Sequence, residues 1–272
     1  MDDTSNRRVA PESPERRHTV VDRLGENGRG RALAAAIFVA FLVGWHGVTV
    51  LFDVPSIVLP SPMEVATAIV DLRGVLLADA AVTATTAGLG LLAGIVIGAV
   101  LSFLMVASRS AASVILPYVV ALRIAPLIAI APLLFLWFGR GIPGKTLLVA
   151  TLTVFPITIA ALDGLRSTPE QYLTLLRSVG ASRTDAFLRV RIPAAAPSVF
   201  AGLKIAATLA VIGAVVAEFV TLDAGLGFRV FDSSNALRTA DSFAALVALS
   251  VLGLAFYAVP AALERAVGAR FE

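Results

Sequence analysis

Six stretches of this chain, at about 32–52, 80–107, 112–138, 146–162, 197–219 and 243–263, are apolar over the length of a membrane crossing. A bilayer's hydrocarbon core is about 30 Å thick and takes roughly 20 helical residues to span. Inside it, backbone amides find no water, and apolar runs of this length satisfy them as α-helices. The expected fold class is all-α, a polytopic membrane protein with about six transmembrane helices. Composition agrees: 15% of the 272 residues are charged and 58% hydrophobic, whereas a soluble domain carries about 25% charge. Mean hydropathy is +0.88.

The net charge of +3 does not point to nucleic acid. The basic residues lie almost entirely outside the apolar runs and form no aromatic-interleaved patch. They set orientation instead, because Lys and Arg concentrate in cytoplasmic loops. With the N-terminus inside, cytoplasmic segments hold 15 of them and outer loops 5. Both termini and the polar insert at 163–196 are therefore expected in the cytoplasm. Residues 1–31, with seven arginines against six acids, read as a disordered cytoplasmic tail, and 32–272 as one transmembrane domain. Cysteine is absent and there are two histidines, so no thiolate or histidine metal site is expected.

The insert is more organised than a simple connection. Thr168 is expected to cap a helix that Pro169 and Glu170 suit in its first turn, Leu173, Leu175, Leu176 and Val179 give that helix an apolar side, and Gly180 ends it. Ser182-Arg183-Thr184-Asp185 has the form of a capping box. Ala186, Phe187, Leu188 and Val190 follow, and Ile192-Pro193 is expected to stop the second helix. Phe187 is the side chain best suited to a pocket on a soluble partner.

Gly180-Ala181-Ser182, Ile192-Pro193-Ala194-Ala195, Pro197 and Gly202-Leu203-Lys204 resemble the EAA loop of binding-protein-dependent ABC importer permeases. The resemblance extends to Leu59-Pro60-Ser61-Pro62, Pro132-Leu133 with Trp137-Phe138-Gly139, Phe155-Pro156, Ala217-Glu218-Phe219 and Gly225-Leu226-Gly227. In all it covers about residues 55–265. Within that family the chain is most similar to the nitrate, sulfonate, taurine and thiamine-precursor (pyrimidine) branch. The resemblance implies a type I ABC importer permease fold and a homodimer in the prokaryotic inner membrane. It also implies two ABC ATPase subunits holding ATP and magnesium, and an extracytoplasmic substrate-binding protein docking on outer loops 53–79 and 220–242. ATPase coupling then falls to Gly180, Ala181, Ser182, Asp185, Phe187, Ile192 and Pro193. The Glu-Ala-Ala that names the loop is replaced here by Thr174-Leu175-Leu176.

Charge at mid-bilayer is costly, about 2.5–3.5 kcal/mol even on insertion scales, so intramembrane polar residues stand out. Arg123, midway along the third run, is either a pathway residue or part of a packed bend. Thr151, Thr153 and Glu218 complete the candidate pathway set; Glu218 lines an outer vestibule or faces headgroup water. Lys204 is expected to reach the cytoplasmic surface along its alkyl stem. Gly94 and Gly98 form a GxxxG step suited to helix packing.

There is no GxxxxGK[ST] phosphate loop, and Gly225-Leu226-Gly227 lacks the strand that a dinucleotide fingerprint needs. No nucleophile–base pair stands out. The chain is thus expected to be a translocation subunit without enzymatic activity or a cofactor of its own. The alternative is a secondary transporter without an ATPase, which would normally carry internal repeats; no convincing duplicate of any span pair is present. The resemblance leaves the substrate as a small polar organic solute or anion, either a pyrimidine or thiamine precursor or a sulfonate or nitrate.

Overall fold

The computed structural model describes residues 20–178 and 180–268. The described residues fall into two compact units, one ending at Val54 and the other beginning at Pro55. The first contains α1 (Val20–Leu51), apolar from Ala32 onward. The tail expected to be disordered lies outside the described residues as far as residue 19. From Val20 to residue 31 that expectation is corrected, since the chain there is already helical. Extending a helix costs far less than nucleating one, so the apolar segment propagates N-terminally into polar sequence.

The second unit holds α2 (Pro62–Asp71), α3 (Arg73–Ala107), α4 (Arg109–Ile124), α5 (Leu127–Phe138), α6 (Ile142–Arg166), α7 (Glu170–Ser178), α8 (Arg183–Ala186), α9 (Ile192–Thr221), α10 (Leu226–Asn235) and α11 (Thr239–Gly268). The Leu-Pro-Ser-Pro motif is the start of α2. Ser61 Oγ accepts from the Glu64 amide, the Glu64 carboxylate accepts from the Ser61 amide at 2.6 Å, and Pro62 occupies the first turn. The Ser56 hydroxyl, with the Ser61 amide and hydroxyl, holds the Glu64 carboxyl below its ordinary range.

Five helices among the described residues are long and apolar enough to cross a membrane, or six if α4 and α5 count as one broken span. The third run, expected as one span over 112–138, is thus corrected to two helices bent by 105°. Proline drives the preceding residue out of the helical region. Ala125 (ψ 131°) and Pro126 (ψ 101°) are both extended, which turns the chain between the two helices. Pro117, Pro132, Pro156, Pro197 and Pro260 all lie inside helices.

At the centre of this unit, α6 packs between α3 and α9. Gly90, Gly94 and Gly98 face Val149, Thr153 and Ile157, so each helix presents a row at four-residue spacing. A Cβ on any of the three glycines would collide with its α6 neighbour. The GxxxG step is therefore an intrachain α3–α6 contact. Ala87, Val149, Ala210, Val211 and Ala214 continue the packing into α9, while Ala131, Leu134, Phe135, Leu148 and Ala217 seat α5 on α6 and α9. A third cluster, around Leu76, Leu226, Ala244 and Ala245, joins α3, α10 and α11.

Candidate functional site

Polar chemistry in the second unit collects at its two opposite ends. One end carries the insert. Gly180, at φ +79°, adopts the left-handed backbone that ends α7 at no steric cost, and the Ala181 amide donates to the Leu176 carbonyl at 3.0 Å, the outer bond of a Schellman ending. The Thr168 hydroxyl, expected to cap this helix, is buried and has no hydrogen-bond partner among the described residues. That expectation is corrected: Thr168 does not cap. Tyr172 and Leu175 of α7 are exposed, as is Thr174 of the altered Glu-Ala-Ala position.

The second helix starts as its sequence indicates. Ser182 Oγ accepts from the Asp185 amide at 3.1 Å and donates to the Asp185 carboxylate at 2.5 Å. It does not stop at Pro193. After α8, residues Phe187–Arg191 form a π turn that runs directly into α9, so the expected break is corrected to a continuous helical path. The physical reason is local. Proline lacks an amide and crowds the carbonyl four residues back, and the widened turn, in which the Ile192 amide bonds the Phe187 carbonyl, accommodates it. π turns of this kind recur at functional sites.

Phe187 is half-buried, and its ring meets Phe103 of α3 edge-on at 5.6 Å between centroids. The residue most suited by sequence to a partner's pocket is therefore already packed against its own chain. Its neighbour Leu188 is 55% exposed, and Ile192 is exposed as well. Pro193, Ala181 and Asp185 are half-buried and Ser182 is exposed. At this same end the Arg166 guanidinium donates to the Met105 carbonyl at the end of α3. Lys204 pairs with Glu264 of α11 at 2.7 Å, where the sequence suggested a side chain reaching for the membrane surface.

The other end holds a buried polar cluster. Leu222, in the left-handed region, ends α9. The chain then turns through Gly225, at φ +110°, and folds back over Glu218. This carboxylate is fully buried. Its Oε2 accepts from the Gly227 amide at 2.7 Å, while Oε1 has no partner among the described residues. A Cβ on Gly225 would fall on the Glu218 carboxyl. Glu218 therefore faces neither a vestibule nor headgroup water, and the two alternatives of the sequence reading are replaced by a clasp between Ala217-Glu218-Phe219 and Gly225-Leu226-Gly227. Around it, the Thr83 hydroxyl accepts from the Leu226 amide at 2.9 Å, and Arg229 pairs with Asp79 at 2.8 Å. Lys145, only 5% exposed, contacts both Asp223 carboxylate oxygens at 2.7 and 2.8 Å.

The sequence reading missed Asp79, Lys145, Asp223 and Arg229. Asp79 stands at the edge of the second apolar run, and the Asp79–Arg229 and Lys145–Asp223 pairs are far apart in the chain. Burial alone would raise the Asp223 carboxyl, but the Lys145 ammonium, the Thr221 hydroxyl and the Ala224 amide together hold it below its ordinary value of 3.8. A carboxyl depressed on folding contributes stability above its unfolded value of about 3.9, and that contribution is lost as pH falls through the lower folded value. The thermal-stability gap between the native chain and Asp223→Asn should thus stay constant from about pH 8 to 5 and narrow only below about pH 4.

The remaining candidates separate. Thr153 is fully buried, its hydroxyl directed at carbonyls that include Gly90 of α3 at 3.3 Å, so it packs helices together. The Thr151 hydroxyl is bonded to Leu148. Arg123 is exposed in the last turn of α4, its guanidinium 4.8 Å from the Phe155 ring centroid, which ties the α4–α5 bend to α6 by a cation–π contact. No group of three or more His, Cys, Asp or Glu side chains among the described residues is placed to hold a metal ion.

Comparison with known proteins gives a consistent result. Residues 90–271 match the family described as binding-protein-dependent transport system inner membrane component. A probable ABC transporter permease protein of Haemophilus influenzae is 37% identical over 216 residues, 79% of this chain and 88% of its own length. The formylaminopyrimidine transport permease protein ThiX of Halalkalibacterium halodurans is 35% identical over 84% of this chain and 91% of its own. A putative aliphatic sulfonates transport permease protein, SsuC of Bacillus subtilis, is 28% identical over 81% of this chain and 80% of its own.

Proposed function

This chain belongs to the family of binding-protein-dependent transport system inner membrane components, and from that membership we propose that it is the translocation subunit of an ATP-driven importer, coupled to a separate ATPase through residues 163–196. The observation that carries this reading is the insert itself. It is an exposed helix, a glycine ending and a capped second helix that passes without a break into α9. A displacement imposed on such a segment travels along α9 and, through Phe187 and Phe103, into α3. The partner-facing side chains are Leu188, with Tyr172 and Leu175 of α7.

The mechanism is alternating access. ATP draws two ATPase subunits together, the inserts of two permease copies move with them, and the spans open outward to a docked binding protein; hydrolysis returns them. ATP and magnesium sit on the partner, and this chain supplies no catalytic group. Both termini and the insert lie in the cytoplasm, on the Lys/Arg count. The clasped end then faces outward, and the break between α4 and α5, where Arg123 is exposed, is the proposed lining of the pathway.

The substrate is a small polar solute, and a pyrimidine is the first choice. The formylaminopyrimidine relative shares 35% of positions over nearly its whole length, against 28% for the sulfonate one. Mass spectrometry of proteins co-purifying with the tagged chain from gently solubilised native membranes tests the proposal. An ATPase should co-purify, and Leu188→Asp should lose it while the chain itself is recovered in equal yield. Recovery of well-folded chain without any ATPase would overturn the reading in favour of a secondary transporter. A co-purified binding protein, tested with pyrimidines, sulfonates and nitrate, identifies the solute.

A further inference from the structure

Between the α2–α3 elbow and α11 runs an open groove of about 410 Å³. Its walls are apolar except at one point, Arg73, the first residue of α3. Alanines at 80, 244, 248 and 255 keep it open, with room for a hydrocarbon chain. On α11 the lining runs from Ala244 to Ala255, about 16 Å at the rise of an α-helix. That is close to half of the roughly 30 Å hydrocarbon core, so the groove is one leaflet deep. Arg73 is exposed and makes no ion pair among the described residues, and on the orientation proposed above it stands at the outer headgroup level.

We propose that this groove is a binding site for a glycerophospholipid of the outer leaflet, with one acyl chain between α3 and α11 and the phosphate on Arg73. An unpaired guanidinium at the mouth complements a phosphate and can grip two of its oxygens at once. The small side chains below leave room for methylenes, whose removal from the surrounding chains costs nothing in apolar contact. An anionic headgroup is favoured over a zwitterionic one, because it brings no cation of its own to compete for the phosphate.

Native mass spectrometry of the purified full-length chain, titrated with phosphatidylglycerol, tests the site. Arg73→Ala should weaken retention of the tightest-bound lipid about fivefold, the effect of removing one cation at a headgroup. Arg73→Lys should restore most of it, and Ala248→Phe, which fills the groove, should remove that lipid with Arg73 intact. Unchanged lipid retention in both Arg73→Ala and Ala248→Phe would overturn the proposal. So would a photo-cross-linker placed at Leu77 in native membranes that captures a protein segment in place of lipid. Neither result bears on whether an ATPase drives the chain, which the co-purification measures separately.

Discussion

Gly94→Leu should leave the protein unable to assemble its central helices, with loss of monodisperse material after extraction in mild detergent. Even the first carbon of the new side chain would overlap Thr153 of α6, and α6 is held from its other side by α9, with Gly202 closely approached by Ala160. Overpacking a filled core usually costs about 1–3 kcal/mol. Here an entire leucine must fit where backbone meets side chain, so the cost should lie at or above the top of that range. Gly88→Leu provides the control on the same helix. A Cβ at Gly88 meets nothing within 4 Å, and the expected change is within about 0.5 kcal/mol. Equal damage from both would mean that the α3–α6 contact at Gly94 is not what limits stability, since leucine favours the helix at either position.

The second large effect concerns the clasp. Glu218→Ala should lower stability by about 3 kcal/mol, combining a cavity with a buried Gly227 amide left without its acceptor. Gly225→Ala should do comparable damage, because its Cβ would fall on the Glu218 carboxyl and its φ of +110° disfavours any side chain. The two substitutions are coupled through one volume of space. Their combination should therefore cost less than the sum of the single losses, and thermal unfolding of the four variants measures the difference. Strict additivity would show that the carboxylate and the turn are independent.

Much of the architecture was legible from apolar length alone, since a membrane crossing needs about 20 residues and admits few alternatives. The insert was legible through Gly180 and Ser182, whose roles are local and depend on neighbours within a few residues. Where the sequence reading went astray, the deciding interaction was distant or a matter of degree. Pro126 and Pro132 look alike in sequence, yet one separates two helices at 105° and the other lies within a helix. Pro193 looked like a stop, but a π turn takes it into α9. Glu218 looked like a pathway residue because it is charged in an apolar run. Its partner Gly227 lies nine residues on across a turn, and Thr83, which anchors the same turn, is 143 residues from Leu226. Phe187 looked like a knob for a partner because nothing in its own segment announces Phe103.

On the proposed function, energy enters at the insert and solute at the clasped end, and one cross-linking measurement in native membranes tests both. Photo-cross-linkers at Leu188, in the π turn, and at Met63, exposed on α2 at the opposite end, would be activated in cells expressing the whole system. An ATP-hydrolysing subunit should be captured from position 188 and a different, solute-binding protein from position 63. Capture of the ATPase from position 63, or of no ATPase from position 188 in a transport-competent membrane, would overturn the proposed function.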